Sequence, residues 1–226
     1  MRWFDMLLSE ERSQIIDVCH RMVADGLVVG TAGNVSVRRG DLLAITPSGV
    51  PYDRLRPELI SVVGVEDGTL VDSPLAPASE LALHQVALRV TGNNAVIHTH
   101  SGSATAVACL EDLDEVPAVH YYAAFFGGSP RIAPYRRYGS PELASAVETA
   151  LADRNSALMG NHGAVVTATD LTQAYDRALY LEWFCDLYLR TRSAGSPRTL
   201  PATEIDGVIE QMKGYGQVAP PETSRG

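Results

Sequence analysis

The chain has few cysteines, a single lysine and no long apolar run. Cys19, Cys109 and Cys185 are odd in number and far apart, with no CxxC pair among them. That spacing excludes a disulfide framework and points to a reducing cytoplasm, where each thiol fills core space. No stretch approaches the roughly 20 apolar residues of a membrane span. Met1–Leu8 and the polar Ser9-Glu10-Glu11 after it lack the apolar segment and cleavage site of a signal peptide, so a soluble cytoplasmic protein is expected. Basic groups are also in deficit, 18 against 27 acidic ones, for a formal charge of -9. Such a surface repels nucleic acid and anionic membrane, and admits an anionic small substrate only where a local site is positive. Internal repeats and low-complexity segments are absent. The Gly30–Gly33 segment lacks a full GxGxxG and precedes a strand instead of opening a helix, which argues against a Rossmann unit.

What is present suffices for a large core, with 46% hydrophobic residues in 226; length alone allows one large domain or two small ones. Ser9 reads as an N-cap, followed by apolar residues at helical spacing up to a stop at Gly26. Alternating stretches around Gly40-Asp41 and Asp67-Gly68 read as hairpins. A helix opens at Ser79-Glu80, a strand spans 95–100, and an Ala-rich helix covers 101–110. Val116–Tyr122 is expected as a further strand. Ser140-Pro141-Glu142 opens a helix, short strands follow at 157–159 and 164–167, and the longest helix starts at Thr169-Asp170. Thr203–Met212 is the last helix. Hairpins mixed with single strands and intervening helices predict an α/β protein with a mixed sheet and helices on its faces.

The chemistry centres on His98-Thr99-His100. Side chains two apart on a strand leave the same face, so these imidazoles form half a metal site. His162, after a buried strand and before Gly163, is the best third ligand; the alternative is that it merely caps the strand. Three histidines with an open fourth position match catalytic zinc. Glu80 can ligate, act as a general base or cap its helix, and with His84 it forms a lesser helical metal pair. Gly33-Asn34, Thr46-Pro47-Ser48-Gly49 and Ser79 offer hydroxyls, an amide and backbone N–H groups for an anion. His120-Tyr121-Tyr122 reads as interior aromatic packing, and Tyr215 as surface.

Taken in order, seven stretches resemble the class II aldolase/adducin superfamily, most closely its L-fuculose-1-phosphate aldolase branch. They are Gly30–Val37, Ile45–Tyr52, Ser79-Glu80, His98–His100, Ala118–Tyr121 with Gly127-Gly128, Asn161–Gly163 and Lys213–Gly216. The resemblance runs from about Ser9 to Gly216. It implies a three-layer α/β/α domain over residues 1–216, with 217–226 as a mobile tail. It further implies one zinc ion, or another divalent metal, per subunit on His98, His100 and His162, with Glu80 as acid–base group and additional ligand. Gly33, Asn34, Ser48, Gly49 and Ser79 would line the phosphate site. Tyr121 would reach a neighbouring subunit's site, and Tyr215 would close over the substrate. The implied assembly is a cyclic homotetramer with active sites at subunit interfaces. The implied reaction cleaves a ketose 1-phosphate to dihydroxyacetone phosphate and a short aldehyde, through an enediolate that a divalent metal stabilises.

No Schiff-base lysine stands out; Lys213 is the only lysine. Ala78 stands where fuculose-phosphate aldolases commonly carry serine, and the run after His100 and Phe125-Phe126 also depart. An aldolase for a 5-deoxy- or methylthio-pentulose 1-phosphate is therefore an alternative, as is a methylthioribulose-1-phosphate dehydratase. His120–Ala123 lacks the acid that pentulose-5-phosphate 4-epimerases place there. A non-catalytic adducin-like module would be expected to lose the ligands, and all are present.

Overall fold

The computed structural model describes residues 6–213. Helix α1 (Ser9–Ala24) precedes the hairpin β1 (Asn34–Arg39) and β2 (Leu42–Ile45), then β3 (Ser61–Gly64) and β4 (Leu70–Asp72). Helix α2 (Leu81–Thr91) leads into β5 (Ala95–Thr99), which is followed by α3 (Gly102–Ala108), β6 (Arg131–Ala133) and α4 (Pro141–Leu151). β7 (Ser156–Met159), β8 (Gly163–Ala168), α5 (Leu171–Ala194) and α6 (Ala202–Met212) complete the order. The strands form one sheet, β4-β3-β2-β1-β5-β8-β7-β6. Only the β6–β7 pair is parallel, so the sheet is mixed.

Strand alternation sorts side chains to two faces. Val35, Val37, Ala95, Ile97, Ala164 and Val166 pack with Ile15, Cys19 and Met22 of α1 and Ala174, Ala178 and Phe184 of α5. Leu43, Val63, Val96 and Val165 pack with Leu83, Ala87 and Leu88 of α2 and Leu143 and Val147 of α4. The result is the expected three-layer α/β/α arrangement. His98 shares the face of Val96, and Asn34 and Ser36 oppose Val35 and Val37, so all three lie on the α2 side. Among the described residues no helix is long and apolar enough to cross a membrane.

Several local expectations are corrected. Ser9 is the first helical residue, preceded by Leu8 with φ 54°, and it caps nothing. Ser140 and Asp170 do cap their helices, accepting from Leu143 N and Gln173 N. Val116–Tyr122 is not a strand. Pro117 removes a ladder donor, and His120 accepts from Tyr122 N to start a 3-10 turn over Tyr121–Phe126. The sheet edge is supplied by β6, a three-residue strand with too little sequence to show a period. The boundary at residue 216 and the tail 217–226 lie outside the described residues.

Two glycines let backbone close in around β5. A Cβ on Gly163 would lie 2.2 Å from the Thr99 carbonyl oxygen, and one on Gly33, at φ +81°, would lie 2.6 Å from that of His98. Gly163→Ala, at an ordinary φ, is thus a purely steric probe of this packing. It is expected to cost roughly 1–3 kcal/mol by overpacking. Urea denaturation measures this, and an unchanged midpoint would show that β5 and β8 are not held this closely.

Candidate active site and metal centre

β5 and β8 pair antiparallel, with Thr99 opposite Ala164. This register sets His162, one residue before β8, beside the end of β5 that carries His98 and His100. The three rings meet edge to face, with centroids 4.7–4.9 Å apart. One ligand atom from each lies within 4.8 Å of the others. His98 Nδ1 is 2.9 Å from the Ala164 carbonyl, which only accepts, so Nδ1 carries the proton and the Nε2 lone pair is free. That Nε2 faces His100 Nε2 at 2.9 Å. Burial pushes His100 down to about 4, helped by the charges of His98 and His162 and opposed by Glu80. His162 is lowered by burial, then by His98, again against Glu80.

Glu80 occupies the N-cap position of α2 but does not cap it. Its buried side chain instead turns into the histidine cluster. Oε2 accepts from Asn34 Nδ2 at 3.0 Å and lies 3.2 Å from His98 Nε2. Oε1 lies 3.5 Å from His162 Nε2 and has no hydrogen-bond partner. Burial raises the Glu80 carboxyl, but the neighbouring His98 outweighs it, with the hydrogen bond from Asn34 and the nearby His162 adding to it, and together they hold the group well below the carboxylate range. A buried carboxylate oxygen without a donor, facing convergent imidazole nitrogens, fits a divalent cation. The His84 alternative is excluded: both its nitrogens are occupied, by Ser36 Oγ and Asn34 Oδ1.

The cluster opens on a cavity of about 440 Å³. Gly33, Asn34, Ser48, Gly49 and Ser79 all line it together with Glu80, His100 and His162. Ala78 lines it too, with a methyl where a hydroxyl would add a donor. The Asn34 amide already meets Glu80 and His84, which leaves one Nδ2 hydrogen for the cavity. The sequence reading missed Tyr135, Arg136 and Tyr138, which line the same cavity. Their loop is pressed inward, since a Cβ on Gly139 would lie 2.9 Å from Ser79 O and one on Gly160 3.0 Å from Tyr135 N. The signal available was a Tyr-Arg-Arg-Tyr run immediately before a helix cap.

Tyr121 is not brought to this cavity. It is 48% exposed and lines a separate cavity of about 830 Å³ with Tyr122, Phe125, Tyr180, Leu200 and Met212. The expectation of interior packing is therefore wrong for Tyr121: the aromatic cluster, with Trp183 against His120, sits at the surface. Tyr215 lies outside the described residues.

Burial also pushes His84 down to about 3, with the charge of His98 adding to it and Glu80 opposing. His84 and His100 therefore stay neutral in the fold while the unfolded chain takes up protons below about 6.5. Depressed folded-state values give stability that is present above pH 6.5 and lost as pH falls toward 4 and then 3. Chelator-treated protein should melt at a lower temperature at pH 5 than at pH 7.5. An equal or higher melting temperature at pH 5 would contradict neutral burial.

With this geometry in hand, the relatives are informative. The family model for the Class II Aldolase and Adducin N-terminal domain matches residues 13–189. A 5-deoxy-D-ribulose 1-phosphate aldolase of Bacillus thuringiensis is 37% identical over 215 residues, covering 94% of this chain and 100% of that protein. The L-fuculose phosphate aldolase of Escherichia coli K12 is 38% identical over 206 residues, covering 90% of this chain and 94% of that protein. A solved L-fuculose 1-phosphate aldolase superposes with a TM-score of 0.88 at 32% identity, covering 92% of this chain and 98% of that one. The chain with three convergent imidazoles and a buried, half-partnered Glu80 belongs to the class II aldolase and adducin family, on its aldolase side.

Proposed function

We propose that this protein is a zinc-dependent aldolase cleaving a short ketose 1-phosphate of the L-fuculose 1-phosphate type to dihydroxyacetone phosphate and a short aldehyde. The observation that carries this reading is Glu80 Oε1, buried without a donor among His98, His100 and His162 on the wall of an anion-suited cavity. Zinc held by those histidines, with Glu80 as a ligand when substrate is absent, would polarise the substrate carbonyl and offset the charge that cleavage leaves behind.

The chain's own residues do the rest. Gly33, Asn34, Ser48, Gly49 and Ser79 bind the phosphate, and Arg136 is the one cationic side chain among the described residues lining the cavity. Cleavage moves the electron pair of the breaking carbon–carbon bond onto the ketose half, and the aldehyde half loses its hydroxyl proton. Tyr121 takes that proton as its own phenolic proton passes to solvent, and Glu80 Oε1, after taking up a proton from solvent in the substrate complex, delivers it to the ketose carbon. That Tyr121 lines another cavity and is half exposed supports a role in the site of a neighbouring subunit of a cyclic homotetramer. Tyr215 belongs to the segment that closes over substrate. The exposed aromatic surface of Tyr121, Tyr180 and Trp183 is of the kind buried between subunits. The three unpaired thiols agree with a cytoplasmic location.

A second reading, a 5-deoxy-pentulose 1-phosphate as substrate, is favoured by Ala78 and by the Bacillus relative. A coupled assay for dihydroxyacetone phosphate across both ketose types distinguishes them by rate. Release should be abolished by chelator and restored by zinc, with Glu80→Gln and His98→Ala nearly inactive. Full activity after exhaustive chelation, or in Glu80→Gln, would refute the mechanism. Mixing inactive His98→Ala with Tyr121→Phe under subunit exchange should restore part of the turnover, since some sites regain both groups. No restoration would place Tyr121 outside the neighbouring site.

A further inference from the structure

Beneath α2 a line of buried polar groups leads away from the metal cluster: Glu80, Asn34, His84 and Ser36. Each is less than one-tenth exposed, and His84 and Ser36 are wholly enclosed. Asn34 and Ser36 stand two apart on β1, so both face α2, and Asn34 pairs opposite His98 in the β1–β5 ladder.

The polarity of this line is dictated from one end. A carboxylate only accepts, so Asn34 must turn its NH2 toward Glu80 Oε2, 3.0 Å away. Its Oδ1 therefore faces His84 Nε2, at 2.5 Å, and that nitrogen must carry the proton. His84 Nδ1 is then a bare acceptor, and Ser36 Oγ donates to it at 2.6 Å. Reversing any link would set two acceptors or two donors against each other at a buried site, where an unmet polar group costs about 1–3 kcal/mol. Asn34 spends one amide hydrogen on Oε2 and none on Oε1, which is left without a protein donor.

We propose that His84 is a positioning residue for the aldolase reaction: its Nε2–H holds the Asn34 amide so that Glu80 is pinned through Oε2 and presents Oε1 to the metal site and substrate. The assignment rests on Glu80 being the acid–base group. His84 hydrogen-bonds to Ser36 and Asn34 and to none of the three histidine ligands, and it does not line the cavity. It acts only through Asn34.

Nitrogen-15 NMR of the zinc-loaded full chain at pH 7.5 reads the tautomer directly, with the His84 signals identified by their loss in His84→Gln. The expected result is a protonated Nε2 and a bare Nδ1; the opposite tautomer overturns the proposal. Kinetics provide the second arm. Gln at position 84 carries an amide donor out to the place of Nε2, whereas Asn carries one only to the place of Nδ1. His84→Asn should therefore lower kcat about tenfold or more with KM changed by less than about threefold, and His84→Gln should restore most of that loss. Zinc content, measured on the same samples, should stay at one per chain in both. Equal losses in the two variants, or a loss that follows zinc content or melting temperature, would reduce His84 to a structural role. Glu80→Gln is assayed alongside: its full activity would remove the acid–base reading, while the tautomer result stands independently of it.

Discussion

A buried carboxylate is tolerated only where donors or cations meet its oxygens, and in this protein that requirement falls on Glu80. One oxygen is met by Asn34 and the other by no protein donor. The sheet converges three imidazoles beside the unmet oxygen, so that nitrogens and oxygen together fit one divalent cation, and burial keeps His100 and His162 neutral and ready to act as ligands. The polar line behind Asn34 has its hydrogen-bond directions set by the same charge. Removing the carboxylate would leave convergent nitrogens and an amide with nothing to orient them.

Backbone packing makes this convergence possible. His98 and His100 share a face because strands alternate, and His162 joins them because the β5–β8 register puts Gly163 against the Thr99 carbonyl. Gly33 does the same on the other side of β5, bringing the phosphate-type loop within reach. Helix α2 completes the site from above, delivering Glu80 at its first turn and His84 one turn later. Four segments distant in sequence thus meet over one strand.

Much of this was legible in the sequence because it depends on short-range rules. The HxH pair on an apolar strand, the acid at the start of the next helix back and the glycine after His162 each have a local physical meaning. The hairpins and the Ser140 and Asp170 caps were visible for the same reason. Val116–Tyr122 misled because its alternation suggests a strand, while Pro117 and the His120 side chain break the ladder. β6 is too short to carry a period. The Ser36–His84–Asn34 line could not be read, since it depends on β1 and α2 packing face to face, and a buried histidine has no sequence mark of its own. Tyr135, Arg136 and Tyr138 were overlooked because loop residues acquire their role only from where the flanking elements set them down.

The cavity is also unevenly built. Its histidine end is assembled within one chain, whereas its far side carries the exposed Tyr135–Tyr138 loop, and the tyrosine proposed for proton transfer lies on another surface. Such a division suits the proposed enzyme, in which substrate contacts would be completed by a neighbouring subunit. The most direct test of the account is zinc-edge X-ray absorption on the reconstituted protein. Three imidazole nitrogens at about 2.0–2.1 Å with an oxygen ligand are expected, falling to two imidazoles in His162→Ala. A sulfur shell near about 2.3 Å, or an imidazole count that His162→Ala leaves unchanged, would contradict it.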